Sequence, residues 1–216
     1  MSIMKEKFPG VYQMDGRLYT PNLVPGEKVY NEHIIHYEGV EYRSWNPYKS
    51  KMAAAILKGL KTMPVSRNSN ILYLGAANGT TVSHLSDIAV DGTIYAVEMS
   101  VRAMGDLVNV CSTRGNIIPI LADAEKPDTY GMMVGSVDLL YQDISQRDQM
   151  GIFMKNMEKF GVGQGILMVK ARSIDVSMPP GKIFHRVRKE LERKFRVTEA
   201  VSLSPYSRDH MALVVG

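Results

Sequence analysis

The stretch ILYLGAANGTTVSHLSD, residues 71–87, decides how the rest of the chain is read. Its four apolar residues Ile71–Leu74 predict a buried strand. Gly75 closes that strand, Gly79 follows, and a helix begins at Thr80 or Thr81. Glycine at such a turn lets backbone approach a ligand closely. The helix N-terminus then offers free amides at the positive end of its dipole. The next strand, TIYAV at 93–97, runs into Glu98. A carboxylate at the end of the second strand, about twenty residues after the loop, is placed to grip ribose hydroxyls. Together these predict a nucleoside-bearing cofactor at the carboxyl edge of a sheet. The loop G-A-A-N-G-T lacks the second glycine that lets a pyrophosphate come close, which argues against NAD.

Outward from this stretch, strands and helices alternate. Ile117–Leu121, Val137–Tyr141 and Ile166–Val169 are further apolar or β-branched runs with helical patterns between them. Fully apolar strands separated by helices imply a parallel sheet covered on both faces. Upstream, Met52, Ile56, Leu57 and Leu60 fall at helical spacing around Ala53-Ala54-Ala55. Lys182–Lys194 reads as an amphipathic helix with Phe184, Val187 and Leu191 on one face. Val197–Leu203 and Met211–Val215 are joined through Ser204-Pro205-Tyr206, too short for a crossover helix, so this last pair is antiparallel. Before Asn46-Pro47 the pattern is different. Asp15-Gly16 between Val11–Met14 and Arg17–Thr20 signals a hairpin, as does Glu38-Gly39 between His33–Tyr37 and Val40–Arg43. Strands so short and few need support. The expected organisation is a β-rich subdomain over 1–45 packed on an α/β domain over 46–216.

Composition sets limits. The chain has 216 residues, 26 Lys+Arg against 22 Asp+Glu, and a formal charge of +4, a weak hint of an anionic partner. No apolar run reaches the roughly 18 residues of a membrane span. The single cysteine, Cys111, excludes an internal disulfide framework and a multi-thiolate zinc site, and it fits a reducing, cytoplasmic setting. In its helical stretch Cys111 reads as a buried apolar residue. His33, His36, His84 and His185 show no ligand spacing, so no metal site is expected.

The remaining chemistry sits at strand ends. Asp123, in Leu121-Ala122-Asp123-Ala124, is placed to accept from an adenine amino group. Asp143 closes Tyr141-Gln142-Asp143, Lys170 closes GILMVK, and His210 opens the last strand. Lys51, just inside the first helix of the α/β region, reaches toward the same rim. A lysine closing a buried strand must be desolvated or paired. Such a lysine can deprotonate a ribose hydroxyl, and a nearby carboxylate would orient it. Taken singly, Lys51 also reads as a solvated helix residue, Asp143 as a helix cap and His210 as a structural strand-end histidine. A Gly loop, a ribose acid and an adenine acid at three successive strand ends resemble the layout of class I S-adenosylmethionine (SAM) methyltransferases.

The strings YRSWNPYKSKMAAAI, YLGAANGTTVSHLSD, IYAVEMS, VKARSID and PYSRDHMALVV, in that order, resemble fibrillarin, the methyltransferase family of box C/D ribonucleoproteins. The likeness runs from about Gly10 to the C-terminus, and the absence of a Gly/Arg-rich extension is similar to the archaeal form. It implies a class I Rossmann-like fold with a mostly parallel seven-stranded sheet, its last strand antiparallel, and a small N-terminal β-rich subdomain. The implied activity is SAM-dependent, RNA-guided methylation of ribose 2′-hydroxyls in rRNA or tRNA. The implied partners are guide and substrate RNA, a coiled-coil scaffold protein and a kink-turn-binding protein, with no membrane. Gly75, Ala76, Gly79, Thr80 and Thr81 would hold the methionine side, Glu98, Asp123 and Ala124 the ribose and adenine, with Asp143 beside the sulfonium. The family's catalytic tetrad maps onto Lys51, Asp143, Lys170 and His210. Departures are Arg147 in place of the usual Pro, and Met99, Met104 and Gly105 in EMSVRAMGDL; none removes a proposed catalytic group. Two other readings have their own signatures: a metal-dependent small-molecule O-methyltransferase, which the lysine-rich rim opposes, and a non-catalytic RNA-particle scaffold, which the intact cofactor motifs oppose.

Overall fold

In the computed structural model, which describes residues 3–216, the chain forms two sheets. The first is antiparallel and holds β1 (Lys5–Phe8), β2 (Val11–Met14), β3 (Arg17–Pro21), β4 (Ile34–Tyr37) and β5 (Val40–Trp45), in the order β1-β2-β3-β5-β4. Both expected hairpins have two-residue turns. Asp15 and Gly16 take φ of 49° and 75°, and Glu38 and Gly39 take 49° and 80°. Positive φ at both central residues matches the right-handed twist of the flanking strands. Strand β1 escapes sequence reading because KEKF buries nothing fully and pairs along one edge only.

The second sheet follows α1 (Lys51–Leu57). It is built from β6 (Ile71–Leu74), α2 (Thr80–Ile88), β7 (Ile94–Glu98), α3 (Val101–Cys111), β8 (Ile117–Leu121), β9 (Leu139–Gln142), α4 (Gln149–Lys159), β10 (Gln164–Lys170), α5 (Ala171–Ile174), α6 (Pro180–Leu191), β11 (Val197–Ser202) and β12 (His210–Val215). Strand order is β11-β12-β10-β9-β6-β7-β8, and β12 runs antiparallel to both neighbours. Alternate residues of β6 serve opposite cores: Ile71 and Tyr73 pack with the α1–α2–α3 side, Leu72 and Leu74 with the α4–α6 side. On α6 the buried stripe is Ile183, Val187 and Leu191. Phe184, expected on that stripe, is only partly covered. Cys111 is half-buried at the end of α3, and burial pushes its thiol up to about 11.

Four buried charges tie the first sheet to α2. Arg43 Nε donates to Glu32 at 2.6 Å, Arg43 Nη1 to Asp87 at 2.8 Å, and Arg114 Nη1 to the other Asp87 oxygen at 2.6 Å. None of the four is more than 4% exposed. Two cations and two anions cancel, which a desolvated cluster requires. Burial alone would raise the Glu32 carboxyl, but Arg43 and the amides of Val29 and Tyr30 bring it below the usual range.

His84 completes this layer. Thr20 Oγ1 donates its single proton to Asp87 at 2.7 Å, so it accepts from His84 Nδ1 at 2.7 Å. Nε2 lies 2.7 Å from the Tyr30 hydroxyl, whose single proton also has the Ser44 carbonyl as an acceptor at 2.9 Å, and Trp45 stacks on the ring at 4.9 Å. Burial first, then Arg43 and Arg114, push His84 well below 6.5. The unfolded ring titrates near that ordinary value, so below it the unfolded chain binds more protons. Stability is therefore expected to fall as pH drops below about 6.5, by about 1.4 kcal/mol per pH unit for this histidine. Urea unfolding between about pH 7.5 and about 5.5 should show the decline, with a shallower slope in His84→Gln. A wild-type midpoint unmoved over that range would contradict a neutral buried His84.

Candidate active site

The chain runs outward from β6 through β7 to β8, then returns to β9 on the other side of β6. Ligands of open α/β sheets bind at such a reversal, beyond the carboxyl ends of the strands. A cleft of about 360 Å³ lies there, lined by Gly75, Glu98, Ala124 and Asp143 among the sequence-predicted residues. Ala77, Val97, Met99, Ala122, Ile144, Ser145 and Gln146 line it as well. Gly75 has to be glycine. Its φ is +82°, and a Cβ would stand 2.4 Å from the Asp143 carbonyl oxygen. That contact brings the ends of β6 and β9 together and sets Asp143 against the cleft.

Both Glu98 oxygens are held by backbone. The Ala77 amide donates to Oε2 at 2.8 Å and the Ser100 amide to Oε1 at 2.7 Å. Ala77 aims its amide from a φ of +48°, an uncommon value for a residue with a Cβ. Each oxygen keeps a lone-pair site for a vicinal diol.

The other predicted cofactor residues stand behind this lining. Asp123 is half-buried and accepts from the Glu125 amide at 3.0 Å, while its neighbours Ala122 and Ala124 form cleft wall. Gly79 caps α2, and a Cβ there would sit 3.1 Å from Leu107 Cδ1, so its smallness serves the packing of α2 on α3. Ala76 is buried in the turn. Thr80 donates to Asn78 at 3.2 Å. Thr81 is buried, and its hydroxyl donates at 3.1 Å to Ser50 Oγ, the N-cap of α1. The cofactor loop is thereby bolted to the helix turn that starts at Lys51.

Lys51, Asp143, Lys170 and His210 meet on one rim. Lys51 Nζ lies 2.8 Å from Asp143 Oδ1 and 2.9 Å from Oδ2. Asp143 thus spends both oxygens on Lys51 rather than orienting Lys170. Lys170 Nζ donates instead to Ser145 Oγ at 3.2 Å, and among the described residues no carboxylate lies within ion-pair distance of it. Lys170 pairs with His210 across β10 and β12. His210 Nδ1 lies 2.6 Å from the Arg208 carbonyl, which can only accept, so Nδ1 carries the proton and Nε2 the lone pair. Burial first, then Lys51 and Lys170, lower the ring's proton affinity, against the opposing pull of the Arg208 carbonyl and Asp143. The ring is therefore neutral near neutral pH.

Gln149 is a positioning residue that no sequence signal marked. β10 pairs with β9 only through Leu167. Beyond that point the buried Gln149 side chain substitutes for a strand: Oε1 accepts from the Lys170 amide at 2.9 Å, and Nε2 donates to the Lys170 carbonyl at 3.1 Å. Gln142 secures Gln149 in turn through its backbone carbonyl at 2.6 Å. Among the described residues no three His, Cys, Asp or Glu side chains cluster as a metal site, and no helix is long and apolar enough to cross a membrane.

The chain matches the family model described as fibrillarin over residues 3–216. It is 48% identical over 223 aligned positions to the fibrillarin-like rRNA/tRNA 2′-O-methyltransferase of Thermococcus onnurineus, covering 100% of this chain and 99% of that one. Among solved structures it is similar to Aeropyrum pernix fibrillarin with natively bound S-adenosyl-L-methionine (TM-score 0.90, 43% identity, 100% of this chain and 98% of the other). It is equally similar to the fibrillarin of a fibrillarin/Nop5p complex (TM-score 0.90, 44% identity, 98% and 99%).

Proposed function

The chain belongs to the fibrillarin family, and from that premise we propose that it is an RNA-guided ribose 2′-O-methyltransferase that draws its methyl group from SAM. One observation carries the reading: Asp143 and Ser145 line the cofactor cleft and also touch the rim lysines, Lys51 and Lys170. A methyl group presented in the cleft and a hydroxyl presented on the rim therefore meet at these two residues.

The cleft suits SAM. The closeness of Gly75 to Asp143 leaves room for backbone but not for a side chain, and Glu98 is fixed by two amides with lone-pair sites free for a ribose diol. Gly75, Ala77, Glu98, Ala122, Ala124 and Asp143 would hold the cofactor. Bound there, it supplies an electrophilic methyl on sulfur. Lys170 Nζ would take up the 2′-hydroxyl proton as the oxygen takes the methyl. Lys51, held by Asp143, raises the positive potential on which the developing alkoxide depends. Gln149 fixes the Lys170 backbone and so the reach of its amine.

Partners complete the reading. The relative solved with Nop5p supports a scaffold protein for this chain, and we extend the assembly to a kink-turn-binding protein and to guide RNA in the cytoplasm. A formal charge of +4 over 216 residues gives little grip on RNA phosphates, so affinity would come from the assembly. The test is labelled-methyl transfer to guide-matched RNA. We expect one nucleotide to be modified in the full assembly, weak transfer by the protein alone, and none to a 2′-deoxy target. Modification of the 2′-deoxy target would overturn ribose chemistry, and efficient transfer without guide would overturn guided selection.

A further inference from the structure

Lys170 is fixed at its backbone and free along its stem. Gln149 holds its amide and its carbonyl, and the next amide, that of Ala171, donates to the Asp209 carbonyl at 3.0 Å. A flexible four-carbon chain then separates this backbone from Nζ, and every rotatable bond in it widens the arc the amine can occupy. Among the described residues that amine has one side-chain partner, Ser145 Oγ at 3.2 Å. Ser145 lines the cofactor cleft as well, so its hydroxyl stands where the cleft and the rim meet.

The loop that carries Ser145 is restrained on both sides. Before it, the Asp143 amide donates to the Leu74 carbonyl at 2.9 Å, and Ile144 packs against the α4–α6 core. After it, Asp148 caps α4 by accepting from the Gly151 amide at 3.0 Å. Ser145 itself is exposed, and among the described residues its hydroxyl bonds to no other group than Lys170. The chemistry of this anchor matters. A carboxylate beside a lysine favours the ammonium, the form that cannot take up a proton. The acid of this loop, Asp143, is bonded instead to Lys51, at 2.8 Å and 2.9 Å. A hydroxyl is neutral and can accept an N–H of the amine without adding a charge. The rim therefore pairs its carboxylate with the lysine that supplies potential and its hydroxyl with the lysine that would take the proton.

We propose that Ser145 is a positioning residue for methyl transfer: its hydroxyl holds the Lys170 amine at the junction of cleft and rim, where the 2′-hydroxyl gives up its proton. The proposal rests on the ribose-methylation reading and deepens it. Ser145 acts through Lys170 and not on the cofactor or the RNA, so its loss should appear in the rate of the chemical step and leave both affinities in place.

The experiment measures single-turnover methyl transfer by the assembled particle on guide-matched RNA, with SAM affinity from calorimetry. The exposure of Ser145 lets its variants fold. Ser145→Ala is expected to slow transfer at saturating RNA and SAM about five- to fifty-fold, with recovery in Ser145→Thr. The KM for RNA and the SAM affinity should stay within about two-fold of wild type. In a Lys170→Ala background the same change should cost nothing further, because the hydroxyl has no amine left to hold. Ser145→Asp should move the pH–rate profile to higher pH, since a carboxylate beside the amine favours the ammonium. A rate in Ser145→Ala within about two-fold of wild type overturns the proposal. So does an equal further loss in the Lys170→Ala background, or an unmoved profile in Ser145→Asp. A fall in SAM affinity that accounts for the lost rate also overturns it and assigns the hydroxyl to the cofactor. Ribose methylation stands in each of these cases. Absence of 2′-O transfer by the wild type overturns the premise, and the positioning role with it.

Discussion

Replacing Lys170 with alanine is expected to slow methyl transfer by about 10²- to 10⁴-fold, the range of a positioned acid or base, while SAM binding stays near wild type. The separation is expected because Lys170 does not line the cofactor cleft, whereas Asp143 and Ser145 do. Lys51 cannot take over the role without giving up Asp143, to which it is bonded at 2.8 Å and 2.9 Å. Lys170→Arg sharpens the test. Arginine keeps the cation but does not deprotonate in proteins, so it can stabilise an alkoxide and cannot accept the proton. With Lys170 as base, the arginine variant should be as slow as the alanine variant in single-turnover assays, with SAM affinity measured by calorimetry. An active Lys170→Arg enzyme would reject the assignment and turn attention to His210, whose Nε2 carries a lone pair beside Lys170.

The rim was legible in the sequence one residue at a time. Asp143, Lys170 and His210 stood out because each interrupts an apolar run at a strand end, and alternation of strands with helices puts those ends on one edge. Their pairing was not legible. Lys51 and Asp143 are 92 residues apart, and their contact depends on how closely Gly75 lets β9 approach. A carboxylate between two lysines has no local signal for which it will choose. Gln149 was invisible for a related reason: an amide that replaces a missing strand looks like any polar residue at a helix start. Thr81 sat where a cofactor loop is expected, yet its hydroxyl is engaged with Ser50, which only the packing of α1 against α2 reveals. The hairpins were readable because Asp15-Gly16 and Glu38-Gly39 supply positive φ locally, whereas β1 shows no alternation and carries one apolar residue, Phe8, at its end.

The largest stability effect is expected from Asp87→Ala. Asp87 receives Arg43 at 2.8 Å, Arg114 at 2.6 Å, Thr20 at 2.7 Å and the Leu23 amide at 3.0 Å, with no side-chain exposure. Removing its carboxylate leaves the two arginines against the single negative charge of Glu32. Burial already lowers the proton affinity of Arg114, and Asp87 is the leading charge that offsets this. Deleting one partner of a buried pair costs about 3–5 kcal/mol, because the remaining charge stays desolvated. For a chain of this size that is about 6–20 °C in Tm. The loss should reach the reaction as well. Thr20, Leu23 and Arg43 belong to the first sheet or its loops, while Asp87 lies on α2, whose first turn fixes Ser50 through Thr81. SAM affinity and kcat should therefore fall even at temperatures where Asp87→Ala stays folded. Replacing Glu32, Arg43, Asp87 and Arg114 together with apolar residues of similar volume should recover only part of the stability, since the Thr20 hydroxyl and the amides of Leu23, Val29 and Tyr30 lose their acceptors. Urea unfolding decides the matter: a loss below about 1 kcal/mol for Asp87→Ala would mean that water reaches the cluster and that the charges do not hold the first sheet to α2.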